Sequence, residues 1–142
     1  MSFHLRIATL ERVVFDEDIE SVSLRGSEGD LTILPGHTPL ITAMKAGEIT
    51  ARHKGEDFYM FSSGGVAEIQ PHRALILADV AERADEIDEK RAEEARERAI
   101  AIMQEKRDDE AAFGQAEAAL QRALLRLRIA HKHRSKRGSP TI

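Results

Sequence analysis

Residues 77–92 read Leu-Ala-Asp-Val-Ala-Glu-Arg-Ala-Asp-Glu-Ile-Asp-Glu-Lys-Arg-Ala, and the physical character of the sequence changes across them. Seven of the nine glycines and three of the four prolines lie in residues 1–76, which they divide into short segments. Downstream, only Gly114 interrupts the run up to Lys136, and no proline occurs before Pro140. The sequence therefore predicts a compact, strand-rich body followed by a long helical segment.

Length and composition limit the possible classes of protein. A chain of 142 residues can bury one modest core, so two large domains are excluded. The absence of cysteine excludes disulfides, thiolate metal sites and a cysteine nucleophile. No apolar run approaches the roughly 20 residues of a membrane span, and the N-terminal segment lacks a signal-peptide pattern. We expect a cytosolic protein that meets a membrane only through partners.

The net charge of −4 conceals an asymmetry along the chain. Residues 1–86 hold 15 acidic and 8 basic residues, a balance of −7, whereas residues 87–142 hold 10 acidic and 13 basic residues, a balance of +3. Seven basic residues and no acidic one follow Glu117. Nucleic acid, an anionic membrane surface or an acidic protein surface could each bind such a cationic segment.

The first part of the chain contains eight short segments typical of β-strands. Glycine- or proline-containing turns separate several of them, for example Gly26–Asp30, Pro35–Gly36 and Gly64–Gly65. Their spacing predicts an antiparallel β-sandwich with a mainly aliphatic core. The predicted strands are 3–8, 21–24, 31–34, 40–44, 48–52, 58–62, 66–70 and 74–78.

The second part of the chain predicts two helices. Acidic residues crowd the first turns of the first helix, from Asp85 to Glu89, and Lys106 and Arg107 lie at its end, as the helix dipole favours. The second helix repeats this polarity from Asp108 to Lys132, so we expect an antiparallel two-helix hairpin. The predicted fold class is α+β: a β-sandwich over residues 1–84, a hairpin over residues 85–133, and a basic, disordered tail over residues 134–142.

Seven-residue spacings indicate how the two helices pack. On the second helix the spacing relates Phe113, Leu120 and Leu127, and also Ala116, Ala123 and Ala130. The first helix offers two matching pairs, Ala92 with Ala99 and Ala95 with Ile102. A seam rich in alanine buries little area, and Gly114 costs the helix roughly 1 kcal/mol relative to alanine. We therefore expect a hairpin that can open.

Motifs typical of catalysis are lacking in the sequence, including the phosphate-binding loop, the Gly-x-Ser-x-Gly turn and the His-Glu-x-x-His zinc motif. We therefore predict no catalytic residue and no metal ligand. One polar cluster suggests a binding site, because helical spacing places Asp88, Arg91 and Arg98 on one face of the first helix and Arg122 beside Arg126 on the second, and antiparallel folding could bring these faces together. Arginine forks suit the phosphate oxygens of a nucleotide. The alternative is that these arginines are solvated and paired with Glu94, Glu97 or Glu117.

The sequence resembles the epsilon subunit family of F-type ATP synthases in four segments that occur in the family's order. The segments are 5–15, 26–40, 64–68 and 77–84, and two helices follow them. The resemblance implies a ten-stranded β-sandwich and a helical hairpin in a non-catalytic subunit of the central stalk. It also implies contact with the gamma subunit and the c-ring, coupling of ion flow to ATP synthesis, and a peripheral position on the cytoplasmic face of the bacterial plasma membrane.

The resemblance further implies a regulatory role for the hairpin. In the family, extended helices rise toward the alpha and beta subunits and inhibit ATP hydrolysis. The family's nucleotide signature, Ile/Leu-Asp-x-x-Arg-Ala, matches Ile87, Asp88, Arg91 and Ala92. Further residues resemble those that surround ATP in family members, namely Glu82, Arg98, Arg122 and Arg126. No cofactor is required under this interpretation, and ATP is implied as a regulatory ligand.

Two other classes of function remain as alternatives. A stand-alone nucleotide sensor would use the arginine cluster without joining a rotary complex. A nucleic-acid-binding module would use the basic C-terminal segment, but the aromatic residues needed for base stacking are not interleaved with it. We therefore expect partners in the synthase complex and no nucleic acid.

Overall fold

A computed structural model describes residues 1–138, except for the side chains of residues 137 and 138. The chain divides into two compact units, Met1–Ala84 and Asp85–Ile142. In the described residues the first unit consists of β1 (Phe3–Ala8), β2 (Val13–Ile19), β3 (Ser21–Gly26), β4 (Gly29–Ile33), β5 (Leu40–Met44), β6 (Gly47–His53), β7 (Glu56–Ser62), β8 (Gly65–Ile69), β9 (Arg73–Ala78) and β10 (Ala81–Arg83). A short 3₁₀ helix (Ala84–Glu86) precedes α1 (Glu89–Glu105) and α2 (Glu110–Gly138). These elements confirm the predicted α+β class.

The strands form one hydrogen-bonded path in the order β10-β7-β6-β3-β5-β8-β9-β1-β2, and β4 lies off this path and pairs with residues 22–26 of β3. The link between β3 and β5 is the single residue pair Gly26 and Met44. Strand β2 also contacts β6 and β10. Arg83 on β10 lies over the ring of Phe15 on β2, 6.0 Å from its centroid. The two ends of the path therefore meet, and the sandwich approaches a closed barrel.

Alternation along the strands places the apolar side chains inside. On β1, Phe3, Leu5 and Ile7 are buried, and His4 and Arg6 are exposed between them. The largest fully buried side chains of the sandwich are mostly aliphatic, as the composition predicts. They are Phe61, Leu5, Ile7, Ile19, Leu24, Ile33, Ile49, Met60, Ile69, Ile76 and Val22.

The sandwich differs from the sequence-pattern prediction in two strands and one pairing. The eight predicted segments omit β10, which has three residues, and β2, in which Asp16, Glu17 and Asp18 mask the strand pattern. Pairing with β1 accommodates two of these acids, because Asp16 and Asp18 face His4 across the strands. The prediction of antiparallel pairing is wrong for β1 and β9, which run parallel. A β8–β9 hairpin fixes the direction of β9, and β9 then joins β1 on the edge that β2 leaves open.

The helical hairpin begins later and ends later than the sequence predicts. Asp85 and Glu86 lie in the 3₁₀ helix, and α1 starts at Glu89 with Asp88 as its N-cap. At the other end, α2 continues to Gly138, so the prediction of a disordered tail is wrong for residues 134–138. No proline interrupts this part of the chain, and cationic side chains are favourable at a helix C-terminus. Residues 139–142 of the predicted tail lie outside the described residues. Across residues 1–138, no helix combines the length and apolar character needed to cross a membrane.

Candidate functional site

The segment Ile87–Ala92, which matches the nucleotide signature, forms the start of α1. Asp88 Oδ1 accepts a hydrogen bond from the backbone N–H of Arg91 at 3.1 Å, and the Asp88 carbonyl accepts one from Ala92 N–H at 3.1 Å. Ile87 and Ala92 are buried, whereas Asp88 and Arg91 are exposed. The N-cap geometry satisfies one of the free N–H groups at the start of the helix. Asp88 therefore stabilises the start of α1, and Ile87 and Ala92 contribute packing.

The arginines predicted to bind phosphate lie on both helices of the hairpin. Arg91 and Arg98 are exposed on α1, whereas Arg122 and Arg126 are half-buried on α2. Within residues 1–138, no ion pair joins Arg91, Arg98 or Arg122 to the glutamates of the alternative interpretation, Glu94, Glu97 and Glu117. Within the predicted set, Asp88 accepts hydrogen bonds from the backbone N–H groups of Arg91 and Ala92. Glu82, the remaining predicted residue, is half-buried on β10 of the first unit.

The seam between the helices is made mainly of alanine. Its buried residues include Ala92, Ala99, Ala116, Ala123, Leu127 and Ala130, as the seven-residue spacings predict. Ile102 is 40% exposed, so its assignment to the seam is wrong, and the spacings miss Ile129, which is fully buried. At the loop end, a groove of about 320 Å³ opens between Ile100 and Met103 on α1 and Phe113 and Leu120 on α2. The seam is therefore narrow and incompletely filled.

An acidic side chain at the start of α1 contacts the end of α2. Glu89 Oε1 lies 3.0 Å from an Arg134 guanidinium nitrogen and 3.3 Å from His131 Nε2. Oε1 is inaccessible to solvent, and neither contact aligns as a hydrogen bond, so the interaction is electrostatic. The sequence analysis missed this cluster, although the acidic start of α1 and the basic end of α2 must face each other in an antiparallel hairpin.

A second polar cluster links β1 and β2. His4 Nδ1 lies 2.8 Å from Asp18 Oδ1, and His4 Nε2 contacts Asp16, which also accepts a hydrogen bond from Arg6 at 3.2 Å. The imidazolium form satisfies both carboxylates because both of its ring nitrogens are donors. Hydrogen bonds with Asp18 and then Asp16 raise the pKa of His4, and the hydrogen bonds with His4 and then Arg6 lower the pKa of Asp16.

Apolar side chains also occupy the outer face of the sandwich. Val66 on β8 pairs with Leu77 on β9, and both are about half exposed, at 46% and 51%. Val66 also pairs with Ala43 on β5, two residues from Ile41, which is 73% exposed and lies on the same face. We call Ile41, Val66 and Leu77 the outer apolar row. Neighbouring exposed apolar side chains of this kind mark a surface suited to a protein partner.

Two family models match adjoining parts of the chain and together define its class. The model of the β-sandwich domain of the ATP synthase delta/epsilon chain matches residues 2–84, and the model of the long α-helix domain of the same chain matches residues 85–131. The class is thus a two-domain ATP synthase subunit with a sandwich followed by helices. The chain belongs to the ATP synthase delta/epsilon chain family, and its curated relatives are epsilon chains.

The relatives match nearly the whole chain. The ATP synthase epsilon chain of Dehalococcoides mccartyi strain BAV1 is 46% identical over 130 residues, which are 92% of this chain and 93% of that protein. The epsilon chain of Chloroflexus aggregans is 44% identical over 137 residues, 96% of this chain and 98% of that protein.

Solved structures agree with the fold. A chain in the OSCP, F1 and c-ring structure of Euglena gracilis mitochondrial ATP synthase superposes with a TM-score of 0.72 at 25% identity, covering 84% of this chain and 75% of that chain. A chain in the central-stalk and c-ring structure of the Tetrahymena thermophila enzyme, at 14% identity and a TM-score of 0.52, shows a similar fold over 61% of this chain and 70% of that chain. No group of three or more His, Cys, Asp or Glu side chains in the described part of the chain is positioned to hold a metal ion.

Proposed function

We propose that the chain is the non-catalytic epsilon subunit of the central stalk of an F-type ATP synthase and helps to couple ion translocation to ATP synthesis. The observation that supports this most directly is the order of the two matched domains, which together extend from residue 2 to residue 131. The Euglena gracilis chain with a similar fold comes from a structure of OSCP, F1 and the c-ring. The subunit reaches the membrane through its complex, on the cytoplasmic face.

The sandwich is the part that we assign to rotor contacts with the gamma subunit and the c-ring. The outer apolar row gives it an apolar surface, because Ile41, Val66 and Leu77 are each about half exposed or more. Burying such side chains against a partner contributes about 25 cal/mol per Å² of apolar area. We assign the row to the contact with gamma.

The first experiment tests assembly. Reconstitution with the alpha, beta and gamma subunits of the same synthase should yield a complex that retains the chain. Leu77→Glu should weaken its binding by about tenfold or more because a carboxylate then replaces a buried apolar contact, whereas Glu56→Lys, at the exposed β6–β7 turn, should not. A chain that binds ATP but never joins these subunits would be a stand-alone sensor, and salt-sensitive retention on DNA would indicate a nucleic-acid-binding module.

The hairpin is the part that we assign to inhibition of ATP hydrolysis, in an extended state that reaches the alpha and beta subunits. The alanine seam supports this proposal, because small side chains bury little area and make opening inexpensive in free energy. Deletion of residues 88–142 should leave assembly intact and raise the rate of ATP hydrolysis by the assembled complex. An unchanged rate would contradict inhibition by the hairpin.

ATP is the regulatory ligand that we assign to the hairpin. The first supporting observation is that Arg91 and Arg98 are exposed. The second is that, in residues 1–138, these two arginines and Arg122 form no ion pair with the glutamates of the alternative interpretation, Glu94, Glu97 and Glu117. We expect Arg98→Ala and Arg126→Ala to weaken ATP binding to the full chain in titration calorimetry. Arg128→Ala is the matched control, since Arg128 is an exposed arginine on α2, the helix of Arg126, and lies outside the predicted set.

Asp88 needs a different variant because it also caps α1. Asp88→Ser retains the capping ability and removes the charge. If Asp88 interacts with the nucleotide, Asp88→Ser should lower ATP affinity while thermal stability stays near that of the parent. Equal affinity would limit Asp88 to its capping role, and the absence of ATP binding by the parent chain would remove the regulatory ligand from this proposal.

A further inference from the structure

We propose that Glu89, His131 and Arg134 form a latch that holds the start of α1 against the end of α2 and sets how often the hairpin opens. Glu89 is the first residue of α1, and Arg134 lies four residues before the end of α2. Both basic side chains approach the same oxygen, Glu89 Oε1, Arg134 at 3.0 Å and His131 at 3.3 Å. One carboxylate thus contacts the arginine and the histidine at the end of the hairpin opposite its loop.

The latch depends on a part of α2 that the family's helix model does not cover. That model ends at residue 131, whereas α2 continues to Gly138. Arg134 lies in this additional segment and makes the shorter of the two contacts with Glu89. We infer that the additional turns give this hairpin a closing contact that a chain ending at residue 131 lacks.

Because the seam buries little apolar area, a modest ion pair can change the equilibrium between the closed and the open hairpin. The buried seam residues are mainly alanines, and a groove lies at the loop end, so apolar packing alone favours closure only weakly. An exposed ion pair of ordinary strength changes an equilibrium about two- to fivefold. Because Glu89 Oε1 is inaccessible to solvent, salt screens this pair less than it screens a fully exposed one. In a weakly packed hairpin, such a change shifts the open population measurably.

The rate at which a buried thiol is labelled measures this opening. The chain has no cysteine, so Ala99→Cys places a single thiol in the seam, at a position that is 2% exposed. In this background, Glu89→Gln and Arg134→Gln should each raise the labelling rate about two- to fivefold. The double variant should be no faster than the faster single variant, because the two side chains act as one pair.

A matched control removes a carboxylate from the same helix. Glu93 pairs with Arg96, three residues further along α1, at 3.6 Å, so its partner is not on α2. Glu93→Gln should therefore leave labelling at Ala99→Cys unchanged. A thiol at Ala67→Cys, buried in the sandwich, should label at the same rate in all these variants if only the hairpin opens.

Three results would overturn the latch. They are equal labelling rates in Glu89→Gln and Glu93→Gln, additive effects of Glu89→Gln and Arg134→Gln, and an equal acceleration at Ala67→Cys. The consequence for ATP hydrolysis rests on the proposed function: Glu89→Gln should increase inhibition in the assembled complex if opening leads to the extended state. Labelling of the full chain tests the latch alone, and deletion of residues 88–142 tests inhibition alone, so failure of one is distinguishable from failure of the other.

Discussion

The sandwich and the hairpin of this chain bury side chains of very different size. The sandwich core contains Phe61, Met60 and several leucines and isoleucines that are nearly inaccessible to solvent, whereas the hairpin seam consists mainly of alanines. Hydrophobic stabilisation follows the apolar area removed from water, so the two units differ in the free energy needed to separate their elements. The sandwich therefore has the larger apolar core, and less apolar burial opposes separation of the two helices.

The largest effect is expected in the sandwich core. Ile76→Ala removes a side chain that is 0% exposed on β9 and should lower the free energy of unfolding by about 2–5 kcal/mol. Urea denaturation followed by circular dichroism measures this change. Ile41→Ala is the control, because Ile41 is 73% exposed and should change stability by no more than about 0.5 kcal/mol. Equal effects at both positions would contradict the assigned core.

The second prediction concerns the width of the seam. Ala123 is 1% exposed on α2, so Ala123→Leu adds volume at a buried position of the seam and should destabilise the closed hairpin by about 1–3 kcal/mol. Thiol labelling at Ala99→Cys measures the resulting opening. Ala118→Leu, at an exposed position of the same helix, should have little effect. If Ala123→Leu instead makes labelling slower than in the parent, the seam has room to be filled.

The third prediction uses two glycines, one in each unit. A Cβ at Gly114 in α2 meets nothing within 4 Å, so Gly114→Ala should stabilise the helix by about 0.5–1 kcal/mol. A Cβ at Gly65, where φ is +153°, would lie 2.0 Å from the Leu77 carbonyl oxygen, so Gly65→Ala should destabilise the sandwich. Thermal unfolding of both variants tests whether their stability changes have these opposite signs. Stabilisation by Gly65→Ala would contradict the close approach of β8 and β9.

Local patterns in the sequence predict the elements of this fold better than they predict its long-range contacts. Strand alternation and turn residues locate eight of the strands, and seven-residue spacing locates most of the alanine seam. The acidic run Asp16–Asp18 conceals β2, because the side chains that accommodate it, on His4 and Arg6, lie on another strand. The parallel pairing of β1 with β9 depends on the whole sheet order, which no local pattern specifies.

In the candidate site, too, the sequence predicts local features better than contacts between distant residues. The signature Ile87–Ala92 is visible in the sequence, but the capping role of Asp88 depends on where α1 starts, four residues after the predicted acidic beginning at Asp85. The Glu89 contacts with His131 and Arg134 join residues more than 40 positions apart and depend on the register of the two helices. Spacing on a single helix contains no information about that register.

The smallest predicted effect is a pH dependence in the sandwich, where His4 contacts two carboxylates. The pKa of His4 is raised above its usual 6.5, chiefly by Asp18 and then by Asp16. A raised folded-state pKa contributes stability that is complete below pH 6.5 and is lost as the pH rises through the folded value. The effect should remain below about 1 kcal/mol, because the pair is exposed and solvent screens it.

Urea denaturation of the parent and of His4→Gln from pH 5 to pH 9 measures this effect. The parent should be the more stable of the two at the acidic end, and the difference should shrink as the pH rises. The lowered pKa of Asp16 affects stability in a more acidic range. Its stabilising contribution is present above about pH 3.8 and is lost as the pH falls through the folded-state pKa, which lies below 3.8. Asp16 stays ionised between pH 6 and pH 9, and the comparison of parent with variant isolates the contribution of His4. A constant difference across that range would therefore show that imidazolium formation at His4 does not stabilise the β1–β2 pair.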